Sequence, residues 1–154
     1  MIFWLTGQPG SGKTTLAKKL IKSLTSRDKE LKIINIDGDD LRFINKNKDY
    51  SKEGRIKNIS TAISIVRFLA TKKFICVISI VAPYRFLRDE LKEEFNFLEV
   101  YLHTNEVRGR EEYFATDYEK PVDSKALTLD TGKLNEEECI GEILNVYRKM
   151  ATLA

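Results

Sequence analysis

Eight residues near the start of the chain, Gly7-Gln8-Pro9-Gly10-Ser11-Gly12-Lys13-Thr14, match the pattern G-x-x-x-x-G-K-[ST] at every fixed position. The apolar run 2–5 before them predicts a buried strand, and apolar residues at 16, 17, 20, 21 and 24 predict a helix after them. A glycine-rich turn between a strand and a helix N-terminus cradles phosphate groups, because backbone N–H groups and the helix dipole face the anion. The pattern therefore predicts a site for a nucleoside triphosphate and Mg²⁺.

The residue types within this phosphate loop have chemical reasons. Its glycines permit positive φ angles, so the backbone can approach a polyphosphate closely. Lys13 can reach the β- and γ-phosphates, and the hydroxyl of Thr14 can coordinate Mg²⁺. The residues that we expect to bind ATP here are Gly7, Gly10, Ser11, Gly12, Lys13, Thr14 and Thr15.

Length and composition limit the classes of protein to consider. A chain of 154 residues, 42% hydrophobic and 32% charged, is predicted to form one globular domain over residues 1–154. Its net charge of +3 is too small to indicate a nucleic-acid partner. No apolar run approaches the roughly 20 residues of a membrane span, so we expect no membrane association. Cys76 and Cys139 have no metal-ligand spacing, and we expect free thiols in a reducing cytoplasm.

Strands and helices are predicted to alternate along the chain. Strand patterns cover residues 2–5, 32–36, 74–81, 97–102 and 126–129, and helical patterns cover 15–24, 52–71, a charged segment ending at 95, and 135–150. Asn135 is the expected N-cap of the last helix. The alternation predicts an α/β fold with a mostly parallel sheet of about five strands.

Three carboxylates, Asp37, Asp39 and Asp40, follow the second predicted strand. Open α/β folds bind their ligands at the carboxyl ends of the strands, so we expect these side chains beside the phosphate loop. Carboxylates in this position can hold Mg²⁺ or accept a proton from an attacking hydroxyl. The sequence leaves open which carboxylate holds Mg²⁺ and which accepts the proton.

Five arginines fall at strand ends or in the polar segments next to them: Arg42, Arg55, Arg85, Arg108 and Arg110. Arginine forks neutralise anionic substrates and the charge that develops during group transfer. As a set on one rim of the sheet, they favour a phosphorylated or sulfated acceptor.

Other classes of phosphate-loop protein fit the sequence less well. A GTPase needs an N-K-x-D motif after a late strand, and the segment 45–49 misses that spacing and lies in the first half of the chain. A motor-type ATPase needs an acidic residue closing a strand such as 74–81, which ends instead in Ala82-Pro83. A small-molecule kinase is therefore favoured, and a non-catalytic nucleotide-binding module is the alternative from a different class.

Several stretches resemble the motifs of one kinase family, the adenylylsulfate (APS) kinases. They are the phosphate loop, Ile36-Asp37-Gly38-Asp39-Asp40-Leu41-Arg42, residues 45–59, Ala82-Pro83-Tyr84-Arg85 and Leu129-Asp130-Thr131. The resemblance implies a three-layer P-loop kinase fold, with ATP as phosphoryl donor and Mg²⁺ as cofactor. It also implies phosphorylation of the 3′-hydroxyl of APS in sulfate assimilation, and a homodimer.

The same resemblance implies roles for individual residues. Lys13, Asp37 and Asp39 would be catalytic, and Thr14 and Asp37 would lie on the metal side. The acceptor nucleotide would be bound by Arg42, Tyr50, Arg55, Asn58, Pro83 and Tyr84, with Tyr50 stacking on its base. Arg108 would lie near the donor ATP.

The chain departs from the family pattern in two places. Ala82 stands where the family has a serine, and the segment 105–121 is shorter than the family's lid. A shorter lid would suit a different acceptor. A related enzyme of the same fold phosphorylates the 3′-hydroxyl of cytidine diphosphoramidate in capsule biosynthesis, and that acceptor is the alternative to APS.

Overall fold

The computed structural model describes residues 1–122 and 126–153. The strands are β1 (Ile2–Thr6), β2 (Ile33–Asp37), β3 (Ile75–Ser79), β4 (Phe97–His103) and β5 (Leu127–Asp130). The helices are α1 (Lys13–Thr25), α2 (Gly38–Ile44), α3 (Lys52–Thr71), α4 (Arg85–Glu94) and α5 (Glu136–Leu153), with a 3₁₀ turn at Glu111–Tyr113.

The strands form one parallel sheet in the order β2-β3-β1-β4-β5. The prediction of a parallel sheet of five strands is therefore confirmed. The register sets Leu5 of β1 opposite Ser79 of β3, and Ser79 opposite Asp37 of β2. Because β1 continues into the phosphate loop, this register delivers the loop, Ser79 and Asp37 to the same edge of the sheet.

Helices cover both faces of the sheet, which gives the three layers expected. On one face, Trp4 and Ile78 pack with Ile63 of α3 and Leu91 of α4. On the other face, side chains of α1 and α5 pack against β1, β3 and β4. All five residues of β1 are buried, as expected for a central parallel strand. Burial of each large apolar side chain contributes about 1.5–3 kcal/mol, so this strand holds the phosphate loop on a rigid base.

Helix α2 was not predicted from the sequence. It begins directly after Asp37, whose Oδ1 accepts a hydrogen bond from the backbone N–H of Asp39 at 3.0 Å, an N-cap interaction. Leu41 is its buried residue, whereas Phe43 and Ile44 are exposed. So short a helix with one buried residue has no apolar periodicity to read.

The start of α5 and the end of β3 each have a local explanation. Asn135 caps α5 as predicted: its Oδ1 accepts from the N–H of Glu138 at 2.9 Å, and a carboxylate oxygen of Glu138 accepts from the N–H of Asn135 at 2.8 Å. Strand β3 is shorter than its apolar run, since the chain turns away from the sheet before Ala82, which has φ of 42°.

Within residues 1–122 and 126–153, no helix is long and apolar enough to cross a membrane.

Candidate active site

The phosphate loop has the conformation that its glycines predict. Gly7, Gly10 and Gly12 have φ angles of 147°, 79° and 100°. A Cβ atom on Gly7 would lie 2.2 Å from the carbonyl oxygen of Leu102, so this position requires glycine for space as well as for its φ angle. The loop then enters α1 at Lys13, which directs the N-terminus of that helix at the same space.

Lys13 folds back onto the loop. Its Nζ donates to the carbonyl oxygens of Gly7 at 2.9 Å and Gln8 at 2.8 Å, and to Oγ of Ser11 at 3.3 Å. Burial lowers the pKa of Lys13 to about 7, while the charges of Asp37 and Asp39 act in the opposite direction. A bound polyphosphate would favour the charged ammonium, so the site is suited to an anion.

Asp37 is the buried carboxylate of the site, with a relative exposure of 7%. Its Oδ2 accepts hydrogen bonds from the hydroxyls of Thr14 at 2.7 Å and Ser79 at 2.8 Å. Asn35 donates to Oγ of Ser79 at 3.1 Å, which orients the serine hydroxyl toward Asp37. Thr14 and Asp37 were expected together from the sequence, whereas Ser79 and Asn35 were not. In the sequence, these two residues stand out only as polar side chains within two otherwise apolar strands.

The hydroxyl of Thr14 and the carboxylate of Asp37 are hard oxygen donors of the kind that Mg²⁺ prefers. They lie beside the loop that would hold the phosphates, so the residues present fit this ion. The described residues contain no group of three or more histidine, cysteine or acidic side chains that could hold a metal by themselves. Phosphate oxygens would have to complete the coordination, as is usual for Mg²⁺.

The expected cluster of three carboxylates is wrong for Asp40. Helix α2 separates successive side chains around its axis, so Asp39 lines the cavity and Asp40 lies exposed outside the lining residues that the structure describes. Asp39 is itself exposed, and its Oδ2 lies 4.0 Å from Nη2 of Arg110. The site therefore has an acidic pair, one buried carboxylate and one exposed.

A cavity of about 350 Å³ extends from the phosphate loop to α2 and α3. Its lining includes the predicted residues Gly10, Gly12, Lys13, Thr14, Thr15, Asp37, Asp39, Arg42, Tyr50, Arg55, Asn58, Pro83 and Arg108. The helices explain this grouping, because Arg55 and Asn58 are three residues apart on one face of α3. Asn58 also joins the two helices through a hydrogen bond from Nδ2 to the carbonyl of Gly38 at 3.2 Å.

Two arginines and a tyrosine form one wall of the cavity. The guanidinium carbon of Arg42 lies 4.1 Å from the centre of the Tyr50 ring, and that of Arg55 lies 5.6 Å from it. Arg55 is buried, at 7% exposure, and donates to the carbonyls of Tyr50 at 3.0 Å and Tyr113 at 2.8 Å. The wall is basic and aromatic at once, which suits a flat anionic ligand.

Two other residues singled out in the sequence lie outside the described lining of the cavity. Tyr84 lies outside the described lining of the cavity: it is buried at 3% exposure and directly precedes α4. Burial raises its pKa to about 12, with Asp117 adding to the effect. Arg85 does not join the other arginines of the rim, because its Nε lies 3.6 Å from a carboxylate oxygen of Glu119.

Tyr113 is a lining residue that sequence reasoning missed. It belongs to residues 108–121, called the cover segment below, which lie within the segment 105–121 that was expected to form a shortened lid. The Tyr113 ring centre lies 5.1 Å from that of Tyr50, and the guanidinium of Arg110 lies 5.5 Å from the Tyr113 ring. The three aromatic residues of this charged stretch, Tyr113, Phe114 and Tyr118, were the available signal.

Arg108 lies on the donor side, at the start of the cover segment. Its Nη1 donates to the carbonyl of Gly10 at 3.0 Å, and its Nη2 donates to the carbonyl of Thr131 at 2.9 Å. The hydroxyl of Thr131 in turn donates to the carbonyl of Ser11 at 2.9 Å. Arg108 is thus fixed beside the phosphate loop.

A parallel α/β sheet that sets a phosphate loop opposite an acidic pair and a basic, aromatic wall defines a P-loop kinase. The family model described as adenylylsulphate kinase matches residues 1–125. The chain therefore belongs to this family, and it is an ATP-dependent kinase.

Individual relatives agree. The chain is 32% identical over 168 residues to the adenylyl-sulfate kinase of Bacillus licheniformis, covering 96% of this chain and 84% of that protein. It is 37% identical over 106 residues to adenylyl-sulfate kinase 3 of Arabidopsis thaliana, but that match spans 66% of this chain and only 50% of the plant protein. The fold is that of the Mycobacterium tuberculosis APS kinase CysC solved with AMPPNP and APS, with a TM-score of 0.79, 20% identity and 96% coverage of both chains.

Proposed function

We propose that this protein transfers the γ-phosphoryl group of ATP to the 3′-hydroxyl of APS, giving the 3′-phosphorylated nucleotide used in sulfate assimilation. The observation that carries the proposal is the two-sided cavity of about 350 Å³, with the phosphate loop at one end and the Arg42, Tyr50 and Arg55 wall at the other. One end suits a nucleoside triphosphate, and the other suits a second anionic nucleotide. The names of the family and of its full-length bacterial relatives support APS as that nucleotide.

The two carboxylates are proposed to have different roles. Asp37 already accepts three hydrogen bonds, from Thr14, Ser79 and the N–H of Asp39, so it is a fixed acceptor on the metal side. Asp39 is exposed to the cavity and is the proposed base. In the reaction its carboxylate takes the proton of the 3′-hydroxyl as the oxygen bonds to the γ-phosphorus and ADP leaves.

Mg²⁺ is proposed as the cofactor, held by the Thr14 hydroxyl and the Asp37 carboxylate together with ATP oxygens. When bound, it would neutralise charge on the transferred phosphoryl group. Lys13 and Arg108 add positive charge at the donor end. Catalysis is then mainly positioning and charge neutralisation, as expected for phosphoryl transfer.

The acceptor is proposed to stack with its base against Tyr50 and to place its anionic group by Arg42 and Arg55. The ring centres of Tyr50 and Tyr113 are 5.1 Å apart. A base held between two rings needs about 7 Å, which is two van der Waals layers. For a base to bind between Tyr50 and Tyr113, the two rings would therefore have to move apart.

The deciding experiment measures ADP release with ATP, Mg²⁺ and a panel of acceptors: APS, cytidine diphosphoramidate and plain nucleoside monophosphates. We expect the highest kcat/KM with APS. The cytidine acceptor is the second candidate, because the cover segment has only a three-residue 3₁₀ turn where the family has a longer lid. ATP binding without acceptor-dependent ADP release would instead indicate a non-catalytic nucleotide-binding module.

Further properties follow as proposals. Residues 1–154 are proposed to act as one kinase domain, because both apolar clusters share one sheet. A cytoplasmic location is supported by two buried free cysteines, Cys76 and Cys139. A homodimer, which the family resemblance implies, is testable by light scattering of the purified protein, and a monomer mass would contradict it.

A further inference from the structure

The cover segment rests on the phosphate loop at two separate points. At its start, Arg108 donates to the carbonyl of Gly10 at 3.0 Å. A Cβ atom on Gly10 would lie 3.4 Å from Cβ of Arg108, so loop and segment are in close contact there. Seven residues later, the backbone of Ala115 is paired with the side chain of Gln8.

This second contact is a complete amide pair. Nε2 of Gln8 donates to the carbonyl of Ala115 at 2.8 Å, and the N–H of Ala115 donates to Oε1 of Gln8 at 2.9 Å. Ala115 is buried, at 4% exposure, so its backbone groups need these partners. The glutamine amide supplies a donor and an acceptor together, as a neighbouring strand would.

The Gln8 pair lies between the aromatic wall and a second anchor. Before it, the 3₁₀ turn carries Tyr113, whose carbonyl accepts from Arg55 at 2.8 Å. After it, the hydroxyl of Tyr118 lies 2.7 Å from Oγ1 of Thr6, and the N–H of Glu119 donates to the carbonyl of Pro83 at 2.8 Å. Loss of the Gln8 pair would leave Tyr113 held by Arg55 alone on this side, while the second anchor stays intact.

We infer that Gln8 is a positioning residue for the acceptor: through Ala115, it holds Tyr113 over the acceptor end of the cavity. The inference rests on the proposed function in that the second substrate occupies this end. Because Gln8 belongs to the phosphate loop, the same residue links the donor loop to the acceptor wall. Its carbonyl accepts from Lys13 at 2.8 Å through the backbone, and that bond survives a change of the side chain.

The test compares Gln8→Leu and Gln8→Glu with the unaltered protein. Gln8→Leu removes both hydrogen bonds, and Gln8→Glu keeps the acceptor for the N–H of Ala115 but loses the donor. We expect the KM for the acceptor to rise on the order of tenfold in Gln8→Leu and less in Gln8→Glu. In Gln8→Leu the KM for ATP should stay within about twofold, since the loop backbone is unchanged and no charge is added. Lys29→Leu, at an exposed position after α1, is the matched control and should change neither constant.

Hydrogen exchange of the backbone amides supplies a readout that does not require turnover. Exchange at residues 113–116 should become faster in Gln8→Leu, and exchange of α1 should not change. An equal rise in both KM values, or unchanged exchange at 113–116, would overturn the positioning role. If the unaltered protein shows no APS-dependent ADP release, the proposed function fails, and the exchange measurement still decides the role of Gln8. Should Gln8→Leu not fold, Gln8→Asn carries the same comparison, because its neutral amide is one methylene too short to reach Ala115 and adds no charge to the phosphate loop.

Discussion

The donor end and the acceptor end of the cavity are built in opposite ways. The donor end is one continuous stretch, from β1 through the phosphate loop into α1. The acceptor end is assembled from α2, α3 and the cover segment, with Tyr50 and Tyr113 brought together from distant parts of the chain. A local site tolerates change elsewhere in the chain, whereas an assembled site can change its ligand when one contributing segment changes length. The acceptor end is therefore where members of one kinase fold can diverge.

The largest effect is expected at the donor end, from Lys13→Ala. The Lys13 ammonium is the positive charge that the loop itself supplies to the β- and γ-phosphates. Its removal should therefore lower kcat by about a thousandfold or more. The fold should remain, because the apolar contacts of β1 and α1 are untouched. ADP release and a thermal unfolding curve measure the two quantities. Full activity in this variant would refute the assignment of the phosphate loop.

The variants Asp39→Asn and Asp37→Asn test whether the two carboxylates have different roles. Asp39→Asn should lower kcat by about a hundredfold, because the base is lost while the donor contacts remain. Asp37→Asn should instead raise the Mg²⁺ concentration needed for half-maximal rate, since Thr14 and Ser79 would face a neutral amide. Mg²⁺ titrations of ADP release distinguish these results. The reverse pattern would exchange the two proposed roles.

Tyr50→Ala tests the acceptor end alone. Loss of one stacking ring is worth about 1–3 kcal/mol for a nucleotide base, so the acceptor KM should rise about five- to 150-fold with the KM for ATP unchanged. Tyr50→Phe keeps the ring and should stay close to the unaltered protein. Initial rates with each substrate varied in turn provide the measurement. Equal effects of the two substitutions would point to the hydroxyl rather than the ring.

The smallest expected effect is the uptake of a proton by Lys13 when ATP binds at the donor end. With a pKa of about 7, Lys13 is mostly neutral in the free protein at pH 8. Bound polyphosphate raises that pKa, so ATP binding at pH 8 should take up as much as about one proton, and little at pH 6 where the amine is already charged. Calorimetry in buffers of different ionisation enthalpy measures the uptake. Lys13→Met should remove it, and equal uptake at both pH values would assign it to another group.

Much of the fold was predictable because its signals are local. The apolar run of β1, the glycines of the loop and the spacing within α3 each reflect neighbouring residues, and the structure contains the predicted parallel sheet of five strands. Helix α2 escaped prediction because it has one buried residue and is defined by the capping contact of Asp37. Asp40 was misplaced for the same reason, since a turn and a helix orient the third carboxylate differently.

The phosphate loop, the nucleotide that it predicts and the parallel α/β architecture follow from the sequence itself, because each depends on contacts within a few residues or on simple periodicity. The tertiary structure alone decided which polar groups surround Asp37 and which aromatic ring faces Tyr50. It also decided that Gln8 pairs with Ala115, 107 residues away. Such contacts depend on strand register and on the path of the cover segment, and no local pattern records the distance between residues so far apart in the chain.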